Sequence, residues 1–140
     1  MKGANICFNR ELYARGKPKQ PALGELECAL YDFQYVGLGL GVLDLVYFLG
    51  TSVESRLVTT DSDELLRLYH KYFLEALIST SDSTGAIYPY DIFLRHWELA
   101  VVDWYRFMTG WGFWGNDDWV EARAREIVTR WDSDPSLWGS

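Results

Sequence analysis

Apolar residues change their spacing about a third of the way along this 140-residue chain. Near the start the apolar runs are short, β-branched and aromatic. Asn5 to Phe8 ("NICF") suits one strand, and "ELECALYDF", Glu25 to Phe33, suits a second. The polar stretch between them is broken by Gly16, Pro18, Pro21 and Gly24, which predicts a long exposed connection and an antiparallel hairpin. Gly37, Gly39 and Gly41 follow, permitting sharp turns and close approach of the backbone. From Val42 onward the spacing is helical.

Three further helices carry start signals. Asp61 stands three residues before Glu64 in a capping-box arrangement, and Leu65, Tyr69, Tyr72 and Ala76 then recur at helical spacing, as do Leu66, Phe73 and Leu77. Ser79 to Gly85 reads as a loop. Pro89 and Asp91 open the next helix, whose apolar face is Phe93, Trp97, Ala100, Val101, Trp104 and Met108. After the aromatic turn "TGWGFWGND", Asn116 is placed to cap a last helix, with Asp117, Asp118 and Glu121 where the helix dipole favours negative charge. The expected fold is α+β and mostly α: a β-hairpin followed by about four helices, in one domain over residues 1–140. A two-stranded hairpin is marginal by itself, so this inventory looks like part of something larger.

A composition of 49% hydrophobic and 24% charged residues is that of an ordinary globular chain. The net charge of −7, without a Lys/Arg stripe, argues against nucleic acid as a partner. The longest apolar stretch, Tyr35 to Leu49, contains Asp44 and three glycines and is too short to cross a bilayer. The N-terminus lacks the apolar core of a signal peptide, so the cytoplasm is the default location, and Cys7 and Cys28 are expected to be reduced, buried and structural.

Two carboxylates stand among residues that belong in a core: Asp32 at the end of the second strand, and Asp44 inside "VLDLVYF". An unpaired buried charge is costly, so each needs a role. Asp32 can simply end the strand and turn the chain. It can also ligate a hard cation such as Mg²⁺, which takes oxygen donors and leaves positions for phosphate and water. Asn5, from the facing strand, is the candidate second donor. The glycines are no nucleotide loop, because position 42 is Val and no Gly-Lys-Ser/Thr follows.

"KGANICF" together with "ALYDFQYVGLGLGVLDLVYFL" resembles the C-terminal lobe of the aminoglycoside phosphotransferase and choline-kinase-like family of small-molecule kinases. Lys2, Asn5, Phe8, Asp32, Phe33, Gln34, Asp44 and Leu45 match that family's H-G-D-x-K-x-x-N loop, its D-F-x strand end and its D-L-A-like helix start. "YPYDIFLRHWELAVVDWYRF" and "WGFWGNDDW" look like the helical end of its eukaryotic, CHK-like subgroup, so the resemblance spans nearly the whole chain. It implies a protein-kinase-like C-lobe in which Asn5 and Asp32 hold Mg²⁺ against the phosphates of ATP. Lys2 would lie near the transferred phosphoryl group, and Asp44 would brace the catalytic loop by accepting backbone N–H bonds. The acceptor would be a small-molecule hydroxyl.

In that alignment the His-Gly-Asp with the general base would precede Met1, as would the N-terminal lobe. The expectation is therefore a fragment of a phosphotransferase, inactive as given, with weak or no binding of Mg²⁺ and ATP and an exposed hairpin face prone to self-association. The alternative is a non-catalytic kinase-like binding module. Among the remaining residues, His70 and His96 are expected to form hydrogen bonds rather than act in catalysis, and Asp103 and Arg106 to form an ion pair. Trp97, Trp104 and Trp131 are assigned to the core. Trp111, Phe113 and Trp114, in a glycine-rich turn, are candidates for a substrate pocket.

Overall fold

The computed structural model describes residues 5–8, 28–33, 37–80, 88–134 and 136. Strand β1 (Ile6–Phe8) pairs antiparallel with β2 (Cys28–Leu30) in the register Ile6↔Leu30, Cys7↔Ala29 and Phe8↔Cys28. Five helices follow among the described residues: α1 (Val42–Ser52), α2 (Ser55–Thr60), α3 (Ser62–Thr80), α4 (Tyr90–Trp111) and α5 (Asp117–Ser133). The class is the expected one, α+β and mostly α. The additional helix is α2, a short turn rich in Thr and Val that periodicity does not reveal. The long connection between the strands, residue Lys2, and all of the Ser79–Gly85 loop except its first two residues lie outside the described residues. Ser79 and Thr80 themselves end α3.

The core explains why the chain folds this way. α4 packs against both α1 and α5, and its buried residues Phe93, Trp97, Ala100, Val101 and Met108 recur every three or four positions, forming one stripe. α1 contributes Val42, Val46 and Leu49, α5 contributes Val120, Ala124 and Ile127, α2 contributes Val58 and α3 contributes Leu66. Each full burial of a Phe, Val or Met side chain stabilises the fold by about 1.5–3 kcal/mol. α1 approaches its neighbours closely at Gly50, where an added Cβ would sit 3.2 Å from both Trp104 Nε1 and Val120 Cγ2. Trp97 is buried, while Trp104 and Trp131 pack partly buried around the core.

Several expectations change at this level. Cys7 and Cys28 are free thiols but exposed, because two strands alone offer no second layer to cover them. Gly37 and Gly39 have open space around them and no left-handed backbone, so neither close approach nor an unusual dihedral requires glycine there. Asn116 occupies the position before α5, but its side chain makes no capping bond to that helix. Instead its amide donates to Leu49 O (2.8 Å) and Val53 O (2.9 Å), carbonyls left over at the end of α1. Its Oδ1 accepts the Ser55 hydroxyl at 2.6 Å. One buried amide thus joins the end of α1 and the starts of α2 and α5. Gly115 makes this junction possible: its φ is +76°, and a Cβ there would land on Gly50 O and 2.7 Å from Thr51 Cα.

Candidate functional site

The hairpin register sets the positions of Asn5 and Asp32. Tyr31 N–H donates to Asn5 O at 3.1 Å, extending the ladder one step beyond Ile6↔Leu30. Asp32 is the next residue, so Asn5 and Asp32 share one end of the hairpin. Asp32 leaves the strand with φ +65°, the left-handed region that a residue with a Cβ seldom occupies and that Asp tolerates better than most. Its carboxylate is exposed rather than buried among core residues, and Asn5 is half-buried.

Asp44 lies in the first turn of α1 and is also exposed. The first-turn N–H groups of a helix have no partners within it, which makes this position favourable for a carboxylate. Gly41, the residue before α1, faces the hydroxyl of Tyr69 from α3, with an added Cβ only 3.0 Å from that oxygen. Burial, and secondly the charge of Asp44, hold the Tyr69 phenol above its ordinary pKa. The charge cost of the two acids is therefore met at the surface of the fold and not inside it.

The histidines flank one tyrosine. His70 Nε2 donates to the Tyr88 carbonyl at 2.7 Å, which fixes the proton on that nitrogen, and the Tyr88 hydroxyl pairs with His96 Nδ1 at 2.7 Å. Both rings serve to attach α3 to the start of α4, as hydrogen-bonding residues. Asp103 and Arg106 form the expected ion pair at 2.7 Å.

Trp111 and Trp114 join an aromatic ridge. Trp111 stacks on Phe107 (5.9 Å between centroids), and Trp114 meets Trp104 edge-on at 5.5 Å. Phe113 turns away to pack on Tyr105 at 6.0 Å. All three are exposed, Trp111 to 79%. A separate groove of about 230 Å³ lies between the start of α3 and the faces of α4 and α5, with Trp97 and Trp119 among its walls. Its charges are paired internally: Arg123 with Ser62, Asp63 and Glu126, and Glu98 with Arg130 and the Trp131 indole. Among the described residues, no cluster of three or more His, Cys, Asp or Glu side chains could hold a metal ion. No helix among them is long and apolar enough to cross a membrane.

Residues 20–81 match the model of the ecdysteroid kinase-like family. Over that stretch, which is less than half of the chain, the sequence is similar to a kinase-like family. The matched residues run through Asp32, the glycines and Asp44 to the end of α3, and leave β1, α4 and α5 outside. No curated protein and no solved structure matches the chain. Sequence reasoning found both acids but missed Tyr69 as a neighbour of Asp44. Its only signal was a helical spacing shared with core residues.

Proposed function

We propose that this chain is the helical, C-terminal lobe of an ATP-dependent phosphotransferase acting on a small-molecule hydroxyl. The observation that carries the reading is the convergence of Asn5 and exposed Asp32 at one end of the hairpin. An amide oxygen and a carboxylate are donors that suit Mg²⁺, and the remaining positions of the ion are left for ATP phosphates and water. In the transfer, the acceptor oxygen forms a bond to the γ-phosphorus as the bond to the β-phosphate oxygen breaks. The acceptor's proton passes to a general base, and ADP leaves. Asn5 and Asp32 would hold the metal ion, which would supply neutralisation of charge on the transferring group. By the resemblance Lys2 would supply a cation for the transferring group, and Asp44 would brace the catalytic loop.

The kinase-like match supports this reading, because it includes Asp32 and Asp44. The family's name carries an acceptor, an ecdysteroid, and an alcohol with a broad apolar body suits the exposed ridge of Trp111 and Trp114. The 140 residues contain no His-Gly-Asp. None of the residues assigned here is the general base, and in this reading the chain alone binds metal and nucleotide weakly without turnover.

Mn²⁺, a paramagnetic substitute for Mg²⁺, tests the site directly. With ATP present, the NMR signals of Asn5 should broaden in the native chain and stay sharp in Asp32→Ala. Broadening that ignores Asp32→Ala, or none at millimolar metal, overturns the reading. In that case the exposed ridge would favour a non-catalytic kinase-like module that binds through its aromatic surface.

A further inference from the structure

Tyr69 is a titratable side chain that feels the charge of Asp44 and for which the proposed chemistry has no use. Its ring is held on both sides, stacked on the fully buried Phe93 of α4 (5.9 Å) and on Phe73 of α3 (6.2 Å). A ring mounted this way has little freedom, so its hydroxyl is delivered to one place. That place is the residue before α1, where the oxygen lies 3.0 Å from the position of a Cβ on Gly41. The preceding glycines, Gly37 and Gly39, touch nothing within 4 Å of such a Cβ. Leu40 O already accepts the Leu43 N–H of α1 at 3.0 Å, and Gly41 is the glycine of the run that the Tyr69 hydroxyl approaches.

We propose that Tyr69 is a positioning residue for Asp44: its hydroxyl, mounted on the α3–α4 aromatic cluster, pins the glycine run to the first turn of α1 and so orients the carboxylate three residues on. A Cβ at position 41 would crowd that hydroxyl and have to shift it. The neutral phenol suits the place, since an ionised one would repel Asp44, and the raised pKa of Tyr69 agrees with this. The inference rests on the reading of Asp44 as a brace, but its contact with Tyr69 is measurable whether or not the chain binds nucleotide.

The test is a double-mutant cycle of Tyr69→Phe and Gly41→Ala in the full chain, read by amide hydrogen exchange. Tyr69→Phe keeps the stacked ring, so the fold should persist. Exchange in residues 41–46 should rise about five-fold, with α5 unchanged. Gly41→Ala should raise exchange in the native background and add nothing after Tyr69→Phe, because the hydroxyl it displaces has gone. Independent, additive effects overturn the proposal. A second readout follows the Tyr69 ring by ¹³C NMR as it titrates. Asp44→Asn should lower the midpoint, and an unmoved midpoint also overturns the proposal. Loss of Mn²⁺ binding in Asp32→Ala bears on the metal site alone and leaves both readouts standing.

Discussion

The side-chain amide of Asn116 donates to the carbonyl of Leu49 at 2.8 Å, across 67 residues of sequence. The same nitrogen reaches Val53 O, and Oδ1 takes the Ser55 hydroxyl. A helix normally leaves its last carbonyls to water or to a glycine-based cap. Here a buried residue from the start of α5, distant only in sequence, satisfies them.

Asn116→Ala should therefore cost about 2–4 kcal/mol, since it removes three hydrogen bonds and strands buried carbonyls. Urea denaturation measures this as a lower midpoint with unchanged slope. Asn116→Asp should also be destabilising, because a carboxylate would face two carbonyls, and its deficit should grow as rising pH ionises it. A loss below about 0.5 kcal/mol for the Ala variant, the level of an ordinary surface change, would show that water replaces the amide.

Gly115→Ala and Gly39→Ala form a contrasting pair. The first puts a Cβ against Gly50 and Thr51 at a φ of +76°, so a loss of about 2–4 kcal/mol is expected from combined dihedral and steric strain. The second has open space and should stay within about 0.5 kcal/mol of the native chain. Equal effects in thermal denaturation would contradict the assignment of close packing to the α4–α5 turn.

Asp32 combines an unfavourable backbone with a proposed ligand role. Asp32→Gly relieves the positive φ and should raise stability by up to about 1 kcal/mol, while abolishing Mn²⁺ broadening at Asn5. Lower stability together with retained metal binding would refute both halves of that account.

Stability should fall at alkaline pH. Burial holds the phenols of Tyr69, Tyr88 and Tyr90 above their ordinary value. Arg67, 4.9 Å over the Tyr90 ring, works the other way at that residue. A folded pKa above the unfolded value means that the folded state keeps its protons longer. The contribution is thus intact below pH about 10 and is lost as pH rises through the folded values. Denaturation followed between neutral and strongly alkaline pH should show this decline, and Tyr69→Phe should reduce it. A flat profile would rule out the three phenols as its source.

Much of this was legible in the chain. The hairpin, the helix starts at Pro89 and Asn116 and the stripe from Phe93 to Met108 follow from local rules, because turn residues and apolar period act over a few neighbours. Asp32 and Asn5 could be paired on paper because antiparallel register is simple geometry. The exposure of both acids and both cysteines was not legible, since burial depends on which layer covers a segment. α2 was hidden for a related reason: six residues are too few for periodicity to emerge.

Local chemistry alone therefore determined the class of the fold, the order of its elements and the two acids worth examining. Tertiary structure decided what each polar group does. Asn116, expected to cap its own helix, completes another, because the approach of α1 at Gly50 and Gly115 brings orphan carbonyls within reach. Tyr69, an ordinary member of a helical face in sequence, meets Gly41 because stacking on Phe93 leaves its hydroxyl nowhere else to point. Hydrogen bonds and ring contacts between distant segments depend on positions in space, and spacing along the chain does not encode those positions.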